Sequence, residues 1–113
     1  MHELSIAMGI VRIAENETAK ANGNNVDLIE LEIGTLAGIE FDALDFVWPS
    51  AVKGTILENA EKRITKVNGK AKCNDCNIVF QLDDIFDHCP QCGSYSKMII
   101  KGKELIVKSL EVS

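Results

Sequence analysis

Two pairs of cysteines are the residues of this sequence whose type and spacing most clearly indicate chemistry. Cys73 and Cys76 form one CxxC pair, and Cys89 and Cys92 form a second after twelve intervening residues. Two residues between thiolates let both sulfurs reach one tetrahedral ion, a spacing typical of structural zinc sites. The residue after each pair is asparagine or glycine. Both types tolerate a left-handed turn, which lets main-chain N–H groups point back at sulfur.

The same four cysteines admit two other interpretations. Two disulfides or a redox CxxC use the same residue type, and a rubredoxin-type iron site uses the same ligands. The apolar stretch at the start of the sequence is short, is interrupted by Ser5 and Gly9, and does not resemble a secretory signal. We therefore expect a reducing, cytoplasmic location, where thiols bind metal rather than pair. A closed shell of four cysteines leaves no open position for chemistry, which favours structural zinc.

His2 is the second candidate metal ligand. The Met1 amine, the backbone nitrogen of His2 and its imidazole can close adjoining chelate rings, and such nearly planar nitrogen donors suit Ni(II) or Cu(II). The fourth coordination position stays open, so the metal would exchange faster than it would from a complete coordination sphere. Glu3 adds negative charge beside the cation and at the start of a helix. A histidine near a chain end is more often simply solvated, so both interpretations stay open at this point.

Other function classes are disfavoured by what the sequence lacks. It contains no GxxxxGK[ST] phosphate loop and no Ser-His or Cys-His constellation, so we expect that the protein is not an enzyme. The acidic pairs Asp83-Asp84 and Asp42 with Asp45 are interpreted as exposed surface. Twelve Lys and Arg against 17 Asp and Glu give a formal charge of −5. This acidity argues against a nucleic-acid partner, and no segment approaches the length of a membrane span.

Apolar periodicity predicts the elements that must hold these residues. Helical spacing alternates with strand-like alternation along the chain. Pro49 should kink or divide the second helix. The predicted elements are a helix over 4–21, a strand over 26–35, a helix over 39–52, a weak strand over 60–72 and a stronger strand over 104–112.

This order predicts an α+β fold, with two helices on a small sheet of about three strands and an inserted four-cysteine zinc ribbon. We predict one domain over 1–70, completed by the C-terminal strand within 101–113, and a ribbon domain over 71–100. Residues 78–80 and 85–86 predict a short hairpin inside the ribbon. Its core is too small to fold unaided, so metal binding should supply the folding free energy.

The motifs together resemble the hydrogenase nickel-incorporation proteins of the HypA/HybF family along nearly the whole chain. The resemblance rests on the MHELSI start, the EIG strand end, the VKGT segment, the two CxxC pairs and the terminal ELIVKSLEV strand. A Met-His-Glu start joined to a downstream four-cysteine ribbon is far more specific than either part alone. Two residues depart from the family pattern: Lys62 stands where an apolar strand residue is usual, and Pro49 interrupts a helix.

The resemblance implies a nickel metallochaperone with an α+β nickel domain and a zinc ribbon inserted before the last strand. Its partners would be a GTPase maturation protein and the [NiFe]-hydrogenase large subunit, with a urease accessory protein in some organisms. Ni(II) would be transient cargo on His2, assisted by the Met1 amine and the backbone nitrogen of His2 or Glu3. Structural Zn(II) would fall on Cys73, Cys76, Cys89 and Cys92. A zinc-ribbon adaptor without a second metal is the alternative.

Overall fold

The computed structural model describes residues 2–113 and contains two helices and six strands within that range. The strands form two three-stranded sheets, ordered β2-β1-β6 and β4-β3-β5. The two helices, the small sheets and the clustered cysteines confirm the predicted α+β class. The elements are α1 (Glu3–Lys20), β1 (Val26–Gly34), α2 (Phe41–Val52), β2 (Glu61–Val67), β3 (Gly69–Cys73), β4 (Val79–Leu82), β5 (Lys97–Lys101) and β6 (Leu105–Val112).

Helix α1 buries a narrower face than its apolar content suggests. Ala7, Ile10, Val11 and Ala14 are buried at helical spacing, whereas other apolar side chains of the predicted stripes remain about half exposed. The helix ends where predicted, because Asn22 adopts a left-handed conformation with φ of 57°. The exposed members of the predicted stripes are Leu4, Met8 and Ile13.

Pro49 does not divide α2, which runs unbroken over Phe41–Val52. Leu44, Trp48 and Val52 recur every four residues and are buried, so one apolar face anchors the helix. Proline removes one backbone donor, but only three helical residues follow it, and few bonds remain to be lost. The expectation that Pro49 divides the helix was therefore wrong, whereas a kink at Pro49 stays a prediction.

The predicted weak strand over 60–72 is two strands that belong to different sheets. Asn68 separates β2 from β3, and the alternation of buried residues restarts at Gly69. The predicted hairpin between 78–80 and 85–86 was also wrong. Strand β4 pairs with β3 instead, with Ala71 opposite Phe80, and residues 85–86 lie outside any strand. Strand β5 was not predicted, because only Ile99 of its apolar residues packs against the core.

The chain divides into two compact units. The first contains residues up to 31, 39–64 and 106–113, and the second contains 32–38 and 65–105. The first unit buries Ala7, Ile29, Leu44 and Leu57 in its core. The predicted domain limits at 70 and 101 stay a prediction. No helix of the described residues has the length and apolar character needed to cross a bilayer.

The core of the second unit is small and contains cysteine. One cluster of its buried residues consists of Ala71, Cys73, Phe80, Leu82 and Cys89, so two of these five are candidate metal ligands. This composition fits the expectation that the unit depends on a metal for its stability.

Close backbone approach in the second unit depends on glycine. A Cβ atom at Gly34 would lie 1.9 Å from the carbonyl oxygen of Gly102. Gly102 itself has φ of +115°, which side-chain-bearing residues rarely adopt. The backbone N–H groups of Gly34 and Leu36 donate to the carbonyls of Glu104 and Gly102, both at 2.7 Å. The segments before β3, before β6 and after β1 therefore pack as one tight junction.

Candidate metal centre

Four cysteine sulfurs converge at one point of the second unit. The Sγ atoms of Cys73, Cys76, Cys89 and Cys92 all lie within 4.8 Å of one another. A tetrahedral zinc with Zn–S bonds of about 2.3 Å would place its sulfurs about 3.8 Å apart. The observed Sγ–Sγ distances of 3.5 Å for Cys73 and Cys92 and 3.6 Å for Cys76 and Cys89 are close to that value. The donor set therefore fits a tetrahedral thiolate-binding metal.

Local backbone turns position the sulfurs as the sequence predicts. Asn77 and Gly93 have φ of 66° and 76°, the left-handed conformation expected after each CxxC pair. Their N–H groups donate to the carbonyls of Cys73 and Cys89, at 3.0 and 2.9 Å. The N–H of Cys76 also points at the Cys73 sulfur, at 3.5 Å. Each pair is therefore held in a tight turn that aims main-chain dipoles at sulfur.

The thiols are not disulfides. All four cysteines are free, and the shortest Sγ–Sγ distances far exceed the roughly 2.05 Å of a covalent bond. The close neighbours also belong to different pairs, Cys73 with Cys92 and Cys76 with Cys89. All four sulfurs lie within 4.8 Å of one another, whereas a redox CxxC needs only the two cysteines of one pair. The geometry favours a shared metal over both thiol alternatives.

The electrostatics of the centre favour a bound cation. The N–H of Cys76 is the main reason that the pKa of Cys73 is lowered to about 7. For Cys92, the backbone N–H of Ser94 lowers the pKa, but the Cys73 thiol and burial outweigh it and raise the pKa to about 12. The sulfurs lie too close for all four to ionise alone. A divalent cation would bind the thiolates and displace their protons.

Hydrogen bonds of Ser94 hold the turn of the second CxxC pair in place. Ser94 donates its hydroxyl to the carboxylate of Asp75, and its carbonyl accepts from the N–H of Cys89 at 2.8 Å. His88 stays outside the four-sulfur group and makes an edge contact with Tyr95, with ring centroids 5.7 Å apart. The sequence interpretation did not include the Ser94–Asp75 contact, because it joins residues that are 19 positions apart.

His2 lies apart from these sulfurs, at the start of α1. It is the N-cap residue, its side chain is exposed, and no cap bond engages it. Its carbonyl accepts from the N–H of Ile6 at 2.9 Å, the first hydrogen bond of the helix. Within residues 2–113, no hydrogen bond or ion pair engages the imidazole, so both ring nitrogens are accessible. The Met1 amine lies outside the described residues.

Glu3 has a different environment from the one expected beside His2. Its side chain is only 4% exposed, and Oε2 accepts from the backbone N–H of Glu40 at 3.2 Å. That bond and the N–H of Glu3 itself lower the pKa of the carboxyl. Glu40 is the N-cap of α2, so Glu3 joins the starts of the two helices. The sequence analysis missed this role, because no local pattern connects residues 37 positions apart.

Fold and site together define an α+β protein with a closed four-cysteine metal centre. A family model described as hydrogenase/urease nickel incorporation, metallochaperone, hypA matches residues 1–112. A hydrogenase maturation factor HypA of Parabacteroides distasonis is 44% identical over 112 residues, covering 99% of this chain and 97% of its own. That of Azotobacter chroococcum is 41% identical, with 99% of each chain covered. The chain belongs to the HypA family.

The fold also matches solved structures. The solution structure of the Ni metallochaperone HypA from Helicobacter pylori superposes with a TM-score of 0.70, covering 99% of this chain and 97% of that chain. Sequence identity to it is 21%, so this likeness supports the fold alone. The family resemblance expected from the motifs is confirmed.

Proposed function

We propose that this protein carries Ni(II) on His2 and delivers it during maturation of a [NiFe]-hydrogenase, and of urease where an organism has one. The family is described as one of nickel incorporation. The observation that supports this particular site is the exposed His2 imidazole, which makes no hydrogen bond to any residue of 2–113, at the start of α1. Ni(II) is cargo in this proposal, since an incomplete shell lets it leave.

The helix start is suited to supply amide nitrogens. The first intrahelical donor is the N–H of Ile6, so the N–H groups before it have no carbonyl partner within α1. Nickel binding through the backbone nitrogen of His2 or Glu3 would thus break no helical bond. The Met1 amine would complete three adjoining nitrogen donors. The carboxylate of Glu3, already bonded to the N–H of Glu40, would hold the start of α1 in place.

Zn(II) would occupy the four-cysteine centre with a structural role. Two of its sulfurs are buried, Cys73 at 0% and Cys89 at 1% exposure, and four thiolates leave no position for a substrate. Tight thiolate binding keeps this metal separate from the cargo. The protein therefore would hold one metal permanently and release the other.

The partners would be those of nickel insertion: a GTPase maturation protein and the hydrogenase large subunit, with a urease accessory protein where urease is served. These proteins act where the enzymes are assembled, and we expect that place to be the cytoplasm. The chain itself would contribute binding and release rather than catalysis.

Complementation tests this proposal. A strain lacking the protein would receive the wild-type chain, His2→Ala or the control His88→Ala, and hydrogenase activity would be measured at low and at excess nickel. We expect that His2→Ala loses activity at low nickel and recovers with added nickel salt, whereas His88→Ala matches wild type. Equal activity of His2→Ala and wild type at low nickel would favour an adaptor that uses no second metal.

A further inference from the structure

The sheet of the second unit has one face on its core and one face in solvent. Along β3, Gly69, Ala71 and Cys73 are buried and the intervening Lys70 and Lys72 are exposed. Residues of β4 and β5 that pair with the lysines of β3 lie on the same side of the sheet as those lysines. Three lysines and three large apolar side chains share the solvent side. We name these residues the outer ribbon face: Lys70, Lys72, Val79, Met98, Ile100 and Lys101.

The apolar side chains of this face lie on the two outer strands, on either side of Lys72. Lys72 lies opposite Val79 on β4 and opposite Met98 on β5. Val79 and Met98 are each 57% exposed, and Ile100 at the bulge of β5 is 48% exposed. The solvent side of an antiparallel sheet normally carries polar residues. Three large, half-exposed apolar side chains interleaved with lysines on such a face indicate a binding surface.

The lysines of the face lack anionic partners. Lys70 stands directly opposite Lys101, an arrangement of like charges that destabilises a sheet. Among residues 2–113, no carboxylate pairs with any of the three lysines. At the rim, Asp83 accepts from the Gln81 amide at 3.4 Å and leaves the lysines free. An external group with negative charge would relieve this repulsion.

We propose that the outer ribbon face docks an acidic amphipathic helix of a partner protein. Three strands about 4.8 Å apart span about 10 Å, which matches the diameter of one helix. Strands of five residues are about 16 Å long, which corresponds to roughly eleven helical residues. Apolar side chains of that helix would cover Val79, Met98 and Ile100, and its carboxylates would meet the lysines.

Nucleic acid fits this face less well than an acidic helix. The apolar members are valine, methionine and isoleucine, so the face offers no aromatic ring on which a base could stack. The inference goes beyond the nickel proposal and does not depend on His2, because every residue of the face lies in the second unit.

An NMR titration tests the inference on ¹⁵N-labelled, zinc-loaded and nickel-free protein. The probe is a blocked peptide of about 14 residues with leucine on one helical face and glutamate elsewhere. A thymidine oligonucleotide of similar length is the second probe. The variants are Lys72→Glu and, as a control with the same charge change in the first unit, Lys53→Glu. Both lysines are exposed, so both variants should keep the wild-type fold.

We expect that the peptide shifts the amide signals of β3, β4 and β5 and that Lys72→Glu weakens its binding about tenfold. Lys53→Glu should bind as wild type. Wild-type binding should also weaken as salt is added, a readout that needs no variant. Absence of shifts on this face, unchanged affinity of Lys72→Glu, or tighter binding of the oligonucleotide there would overturn the proposal.

Discussion

Removal of metal from the four-cysteine centre should unfold β3, β4 and β5 while α1 and α2 keep their structure. The first unit has its own core, built on Ile29, Leu44 and Leu57. The buried cluster around the cysteines of the second unit has only Phe80 and Leu82 as large apolar residues. The two units should therefore respond differently to a chelator.

The magnitude follows from the residues of the second unit. Burial of Phe80 and Leu82 contributes about 1.5–3 kcal/mol each, or roughly 3–6 kcal/mol together. Strands β3, β4 and β5 have five, four and five residues. Ordering these backbones costs about 1–2 kcal/mol per residue, or roughly 14–28 kcal/mol. Structural zinc supplies roughly 10–16 kcal/mol, which closes most of the difference. Without zinc, burial of Phe80 and Leu82 does not offset the cost of ordering the three strands.

The assay is an amide ¹H–¹⁵N spectrum recorded with a chelator and a reductant, followed by re-addition of zinc. We expect the signals of β3–β5 to collapse to unfolded positions, those of α1 and α2 to persist, and zinc to restore the original spectrum. The persisting helix signals are the internal control. Dispersed β3–β5 signals with slow amide exchange in metal-free protein would refute this reasoning.

Three further changes test the packing. Gly34→Ala should destabilise the protein by at least about 3 kcal/mol in urea unfolding, because its Cβ would lie 1.9 Å from a backbone oxygen of the β5–β6 turn. The control Gly9→Ala, with open space and a helical backbone, should stabilise by about 0.5–1 kcal/mol. Lys62→Met should lower the free energy of unfolding by about 0.5–1 kcal/mol, because Lys62 Nζ lies 5.0 Å from the Trp48 ring centroid. Unfolding would be measured by tryptophan fluorescence, and equal stability of the variant and wild type would contradict that contact. Because the pKa of Glu3 is lowered in the folded state, its carboxylate stabilises the fold at pH values above the ordinary pKa of 4.5. This stabilisation is lost as the pH falls through the folded-state pKa. Glu3→Gln should therefore be less stable than wild type at neutral pH, and the difference in the free energy of unfolding should shrink in acid. A difference that does not change with pH would contradict this role of Glu3.

The clustering of the four cysteines was predictable from sequence because its determinants are local. Two CxxC pairs and the residues after them specify tight turns, and Asn77 and Gly93 adopt the expected left-handed backbone. Helix α1 and strand β1 were predictable because their buried residues follow a regular period. Lys62 looked anomalous in a strand, yet its ammonium lies over Trp48 and 2.7 Å from Asp45. The departure from the family pattern thus has a physical basis.

Features that depend on distant residues could not be predicted. The bond from Glu3 to the N–H of Glu40 and the close approach of Gly34 to Gly102 connect segments that no periodicity relates. The division of 60–72 into β2 and β3 depends on which sheet each half joins. Strand β5 was hidden for a related reason, since Met98 and Ile100 face solvent and leave no alternation to detect.

Nickel binding to untagged, zinc-loaded protein tests whether His2 carries Ni(II). Wild type, His2→Ala and the control His88→Ala would be titrated with Ni(II), and zinc content would be measured before and after. We predict that wild type and His88→Ala bind one nickel per chain without losing zinc and that His2→Ala does not bind it. Identical titrations of wild type and His2→Ala, or nickel uptake only by displacement of zinc from the cysteines, would contradict it.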